Sequence, residues 1–262
     1  MARTTGQTPA GGLAGDYVSQ YPGDQRLRNL GHELANTKRR LSRFGPVVHP
    51  GMSLRQALST LDRSGGVVWF SEGIWFIREP FIVKRDNVVL RAVSPARTKL
   101  QRTAASSSPM LTFEGTRCHV IGFEIEDSPN STSVCIQMQG NRSSVQDCHF
   151  INGYNGVGIR GANNCRVDNN HFEAMGNQAV LVTGTASRNQ VNNNFFESSA
   201  IADYDIYFDD NATDGGAVGN NHEIDAAEKT ISIKTGSGVV VDDSASSKFF
   251  NILDAASVQV RP

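Results

Sequence analysis

Long apolar runs are missing from this 262-residue chain, so no segment has the uninterrupted hydrophobic length that a bilayer-spanning helix needs. Charge imbalance is missing too. Lys and Arg number 25 against 26 Asp and Glu, a formal net charge of −1, which removes any general attraction to nucleic acid or to an anionic membrane. Cysteine is sparse: Cys118, Cys135, Cys148 and Cys165 lack zinc-type spacing, and no disulfide framework is expected. Residues Met1 to Asp16 are polar and Gly-rich with no apolar stretch among them. The expectation is a chain without a secretory signal, made in a reducing cytoplasm.

What is present is a repeat. Leu111-x-Phe113-x-Gly115 is followed by Ile136-x-Met138-x-Gly140, Val157-x-Ile159-x-Gly161 and Val180-x-Val182-x-Gly184, then by the weaker Ile206-x-Phe208-x-Asp210 and Ile231-x-Ile233-x-Thr235. The first apolar positions are thus 21 to 26 residues apart. Alternating apolar residues at such a period mark a coiled β architecture with one turn per repeat. A second column runs Cys118-x-Val120, Ser143-x-Val145, Cys165-x-Val167, Asn189-x-Val191 and Gly216-x-Val218. Three residues after each Val come Phe123, Cys148, Asn170, Asn194 and Asn221, and two further on Ile125, Phe150, Phe172 and Phe196. The pattern predicts strand, tight turn, strand. Asn in the series tolerates the left-handed conformation of a turn and can bond from coil to coil, while the Phe column stacks inside. Cys118 and Cys165 fall two coils apart, about 9.6 Å, too far for a disulfide.

The rest of the chain divides around this repeat. Residues 1–45 form an N-terminal arm and heptad helix, 46–110 a capping helix and first coils, and 111–262 regular coils and a C-terminal cap. In the arm, Leu27, Leu34 and Leu41 occupy one heptad position, and Leu30, Thr37 and Phe44 the other. Glu33 and Lys38 are placed to pair between chains, whereas Gly31 counts against the helix by about 1 kcal/mol. Both an oligomerising stalk built on Leu27, Leu30, Leu34, Leu41 and Phe44 and a helix lying on its own domain fit. The second helix, 53–64, opens with Ser53-Leu54-Arg55-Gln56, which has the form of a capping box. It is placed to cover the open end of a coiled sheet.

The run Ser53 to Leu58, then Gly65-Gly66-Val67-Val68-Trp69-Phe70, Glu72-Gly73, Phe81-Ile82-Val83 and Asn87-Val88-Val89-Leu90 resembles the start of pectate-lyase-like right-handed parallel β-helix proteins. The resemblance covers roughly residues 50–250. It implies an all-β, single-stranded parallel β-helix with an N-terminal capping helix. It also implies that any catalytic groups project outward from the strands of the first column.

Those outward residues are Glu114, Gln139, Arg160, Thr183, Asp209 and Lys234 in one column, and Thr112, Gln137, Gly158, Leu181, Tyr207 and Ser232 in the other. A glycosidase needs two carboxyls about 5–9.5 Å apart. Glu114 and Asp209 are roughly 19 Å apart, and Asp205 and Asp209 roughly 13 Å along one strand. The tight pair Asp209-Asp210, with Lys234 one coil on, is similar to the Asp-Asp and basic elements of polygalacturonases, but Asn-Thr-Asp and Gly-His-Gly are absent. Asp209, Asp210 and Lys234 are therefore the catalytic candidates, and a surface ion pair between Asp209 and Lys234 is the competing reading. Tyr154, Tyr204 and Tyr207 lie near the outward face, and tyrosines there can stack on sugar rings or bury against another subunit. Tyr154, Tyr207, Arg160 and Gln139 are the carbohydrate-contact candidates. His149 and His171 fall one coil apart, without a carboxylate or thiolate partner, so no metal and no cofactor are expected.

The resulting expectation is a structural virion protein of a bacteriophage, similar to tailspikes and fibres, exposed on the particle. It is a homotrimer joined to other virion proteins through its arm and touching a bacterial surface glycan, with no nucleic-acid partner and no membrane insertion. The rivals are a polysaccharide depolymerase, lyase or hydrolase, and a carbohydrate-binding module without enzymatic activity.

Overall fold

The computed structural model describes residues 45–59, 61–197 and 205–209, and beyond them Asn221 and the strands Ala217–Gly219, His222–Ile224, Ile231–Lys234, Val240–Asp242, Phe250–Leu253 and Gln259–Arg261. The heptad residues Leu27, Leu30, Leu34, Leu41 and Phe44, and also Tyr204 and Asp210, lie outside them.

The chain winds into a right-handed parallel β-helix with three strands per turn. Its strands line up in three parallel sheets of ten, seven and eight strands, here sheets A, B and C. One full turn reads His119–Ile121 in A, Glu124–Glu126 in B and Val134–Met138 in C. The next reads Ser144–Gln146, His149–Ile151 and Asn155–Arg160. Register holds throughout: Ile136 faces Leu111 on one side and Val157 on the other, and Val145 sits between Val120 and Val167. Repeats of unequal length keep this register because the surplus residues go into the loops between sheets B and C, such as 127–133, 152–154 and 174–177.

The core is the repeat seen end on. Leu111, Phe113, Ile136, Met138, Val157, Ile159, Val180, Val182, Ile206 and Phe208 are all buried. Phe150, Phe172 and Phe196 stack at 4.8 and 5.5 Å between ring centroids, with planes within 15°. Two of the Gly residues that end the sheet C repeats have a steric cause, whereas Gly161 and Gly184 stand at φ of 64° and 70°. A Cβ on Gly140 would lie 1.8 Å from the Gly115 carbonyl oxygen, and one on Gly115 would lie 2.1 Å from that of Arg85.

Turns in a stack bury backbone N–H groups that no strand satisfies, and an unpaired one costs about 1–3 kcal/mol. Between sheets A and B, Asn170 Oδ1 accepts from the Cys148 N–H, Asn194 Oδ1 from that of Asn170, and Asn221 Oδ1 from that of Asn194. Each amide nitrogen donates back to a carbonyl: Val145, Val167 and Val191 in turn. The Asn ladder expected from the sequence is there. The left-handed residue is not the ladder Asn but the one before it: Gly122, Asp147, Asn169 and Asn193 have φ of 54–78°. The two duties exclude each other, because a ladder Asn must turn its amide inward while the left-handed residue faces solvent. A second set of buried bonds lies between sheets C and A, where Ser143 Oγ accepts from the Cys118 N–H and Asn189 Oδ1 from that of Cys165.

The capping helix is Leu54–Ser59, shorter than the 53–64 segment. Its box is formed: the Gln56 N–H donates to Ser53 Oγ at 3.1 Å and the Ser53 N–H to Gln56 Oε1 at 3.0 Å. Leu54, Ala57 and Leu61 join the buried core. Arg85 Nη1 donates to the carbonyl of Leu58 in the last turn and to those of Leu61 and Asp62 just beyond it, satisfying groups that a C-terminus leaves unpaired.

Asn170→Ala strands the Cys148 N–H and the Val145 carbonyl together. The expected loss is about 2–4 kcal/mol, measured as a lower urea midpoint. An unchanged midpoint removes the ladder as a source of stability.

Candidate functional site

Sheet C presents the outward columns that the alternation implies. Gln139 follows Met138, which faces Ile159, and Arg160 faces Thr183 on the next coil. Both Gln139 and Arg160 are exposed. Asp209 follows strand Ile206–Phe208 and is half-buried, its N–H donating to the Val182 carbonyl at 2.8 Å. Tyr207 faces Leu181 and Ser232, and is half-buried. Lys234 ends strand Ile231–Lys234, and only its backbone is among the described residues. Four consecutive coils thus bring Gln139, Arg160, Thr183 and Asp209 into one row beside Tyr207. Tyr154 stands apart. It precedes strand Asn155–Arg160 and its carbonyl accepts from the Asn177 N–H. It lies four residues and two coils from Tyr207, roughly 16 Å, so the two do not stack on one sugar ring. At the far end of the row, Glu114 pairs with Lys84 at 3.7 Å.

Sheet B carries a charged outer face that the sequence reading missed. Lys99 Nζ lies 2.7 Å from Glu124 and 2.6 Å from Glu126. Burial works against its charge, yet the two carboxylates outweigh it and hold the ammonium above the usual lysine range. His149 and His171 stack at 4.3 Å with planes 5° apart. Contrary to the expectation, each has a carboxylate partner: His149 Nε2 meets Glu173 Oε2 and His171 Nε2 meets Glu197 Oε2, both at 2.9 Å. The bonds run diagonally to the Glu two residues along on the next coil, so inspection of one column at a time does not find them. No group of three or more His, Cys, Asp or Glu among the described residues is arranged to hold a metal ion.

A third polar cluster is buried. Arg102 and Asp127, 2% and 0% exposed as side chains, form a two-point ion pair with Nε to Oδ1 at 2.8 Å. Arg102 Nη1 also donates to the Ser108 carbonyl, and Asp127 Oδ1 accepts from the Ser128 N–H and Ser131 Oγ. Every charge-bearing atom is occupied and shut off from solvent, so the cluster holds the 102–108 and 127–133 loops together and is not a place for substrate. Its sequence signal was a charge pair one repeat apart, each just past a sheet B strand.

Residues 109–255, more than half of the chain, match the family model described as the right handed beta helix region. The chain belongs to that family. No curated protein matches it in sequence. Among solved structures, this β-helix is similar to the catalytic domain of a GH87 alpha-1,3-glucanase in complex with nigerose, with TM-score 0.58, 14% identity, and coverage of 82% of this chain and 44% of that one. It is also similar to the pectin methylesterase PemA from Erwinia chrysanthemi (TM-score 0.51, 10% identity, 76% and 78% covered). A third is the PL6 family polysaccharide lyase Pedsa3628 from Pseudopedobacter saltans (TM-score 0.52, 17% identity, 75% and 52% covered). The β-helix thus spans less than half the length of the glucanase domain. At these identities the likeness establishes the fold.

All four cysteines are buried free thiols. Burial pushes Cys148 up to about 12 and Cys165 up to about 11. Native protein at pH 8 is expected to resist a thiol reagent at all four, and to titrate fully once denatured. These thiols keep their protons longer when folded, so the unfolded chain ionises first. Stability therefore falls as pH rises from about 9, the ordinary thiol value, toward about 11–12. Denaturant titrations across that range measure the slope.

Proposed function

We propose that this β-helix binds a polysaccharide along the outer face of sheet C and cleaves it there as a depolymerase. The observation that carries the reading is the row Gln139, Arg160, Thr183 and Asp209 on four successive coils, with Tyr207 beside it. A coil advances about 4.8 Å, so Arg160 and Asp209 stand roughly 10 Å apart, enough to flank one sugar linkage. In this reading Tyr207 stacks on a ring, Arg160 holds an anionic substituent and Asp209 moves the proton. Hydrolysis calls for two carboxyls about 5–9.5 Å apart, whereas elimination from a uronate needs one proton acceptor and a cation beside the substrate carboxylate. Asp209 with the single described cation of the row, Arg160, suits elimination, since the carboxylate at the far end, Glu114, is paired with Lys84. The polysaccharide-acting proteins named above share the fold and support the substrate class.

The test is product release from a panel of acidic and neutral polysaccharides, followed as unsaturated ends and as reducing ends. Proton transfer by a positioned group contributes about 10²–10⁴-fold. Asp209→Asn is therefore expected to lower kcat about 100-fold or more with KM little changed. Retention of polymer without product would reduce the reading to a binding module, and neither retention nor product would overturn it.

The heptad pattern over 24–44 favours a second reading, a bacteriophage appendage in which this β-helix is the shaft of a homotrimer and the arm joins other virion proteins. Light scattering on the full chain decides it: three copies per particle support the appendage, and one copy speaks against it.

A further inference from the structure

Sheet A has a polar outer face that neither the sheet C row nor the core explains. At the turns leading into it, the left-handed position is held in successive coils by Asn87, Arg117, Arg142, Asn164 and Arg188, with φ of 54–59°. Two residues on, at the start of the strand, the outward position is held by His119, Ser144, Arg166 and Gln190, each facing the next. Four consecutive coils therefore each carry one arginine at this edge: Arg117, Arg142, Arg166 and Arg188. All four are exposed, and none has an ion-pair partner among the described residues.

A groove of about 530 Å³ opens between two of these arginines. Arg142 and Arg166 line it with Asn164, Ser144, Gln146 and His119. Its floor is fixed by the His119 Nδ1 to Ser144 Oγ contact at 2.7 Å, and burial lowers the His119 pKa, so the floor is neutral. Asp168, the nearest carboxylate along the strand, sits two residues beyond Arg166, where it accepts from Asn193 Nδ2 at 2.8 Å.

We infer that this edge of sheet A is a second binding surface, separate from sheet C, for an extended acidic polysaccharide of the uronate kind. Three features select that ligand. The cations recur once per coil, about 4.8 Å along the stack, similar to the advance of one sugar in an extended chain, with Arg166 set two residues further into the strand than Arg142 and Arg188, so carboxylates projecting to either side of the chain meet successive arginines. The groove between them supplies an amide, a hydroxyl and a second amide for sugar hydroxyls, and its volume falls in the range of small-ligand sites. Single-stranded nucleic acid is bound by stacking on aromatic side chains along a charged groove. On the four coils from His119 to Gln190 the outward columns His119, Ser144, Arg166, Gln190 and Ile121, Gln146, Asp168, Asn192 contain no Phe, Tyr or Trp, and Trp69, two coils before Ile121 in the second column, is covered by Arg91. A surface that grips polymer beside a cleaving face keeps the chain from diffusing away between encounters.

The neighbouring coils supply variants that the fold already accepts. Arg142→Asn places at the left-handed turn the residue that Asn164 provides one coil on, and Arg166→Gln places in the strand the residue that Gln190 provides. Binding of the full chain is measured by calorimetry against a polyuronate, a neutral glucan and single-stranded DNA, in the Asp209→Asn background so that cleavage plays no part. The expected result is polyuronate binding that weakens with added salt and falls about tenfold or more in the double variant, with the urea midpoint unchanged. Equal affinity of the double variant and its parent overturns the inference, as does equal binding of the neutral glucan. Binding of DNA but not polyuronate overturns it in favour of a phosphate polymer. Polymer cleavage by wild-type protein with no effect of the two arginine substitutions leaves the sheet C reading standing and removes this one.

Discussion

Parallel coils can stack only if the backbone that turns the corners is satisfied from within. Strand N–H and carbonyl groups find partners on the coils above and below, but the corners lie off the sheets and are sealed by core side chains. The Asn170–Asn194–Asn221 chain of amides resolves this at one corner, and Ser143 and Asn189 do so at another. Once those corners are tied, the apolar columns have no freedom to slip. A slip of one residue turns every inward side chain out, and would also pull each ladder amide off its carbonyl. The polar corners fix the register, and the Phe and Val columns supply the burial.

The same register makes the outside programmable. A residue facing solvent on one coil stands over its counterpart on the next, so substituents build rows at a fixed pitch. Sheet B spends its row on Lys99, two glutamates and the His–Glu diagonals. These are half-exposed pairs of the kind that contribute little stability each. Sheets A and C carry the rows of arginine and of Gln139, Arg160, Thr183 and Asp209 on which the functional proposals rest. A β-helix serves many activities because its rows vary while its corners and core stay the same.

How much of this was legible follows from distance in sequence. The strands of sheet C, the capping box at Ser53 and Gln56, the Phe stack and the outward columns all follow from local alternation or from one repeat step. What escaped needed two coordinates at once. His149 reaches Glu173 by moving one coil up and one step across, which column-by-column inspection cannot find. Arg102 and Asp127 are one repeat apart, each just past a sheet B strand, but a charge pair at that place reads equally as two solvated loop residues. The shift of the left-handed residue from Asn194 to Asn193 was hidden for another reason. Adjacent asparagines look alike in sequence, and only the direction of the amide separates a turn former from a ladder member.

The Arg102–Asp127 pair also bears on how the stack comes apart. In a solenoid each turn contacts only its neighbours, so opening spreads from an end inward. The Leu54–Ser59 helix, the Arg85 guanidinium on the Leu58 and Leu61 carbonyls and this ion pair all belong to the first turns of the stack. Fraying at that end must break several unlike attachments together, which makes the start of the coil a stop against unravelling. The winding then holds as a ratchet with its pawl at the helical end.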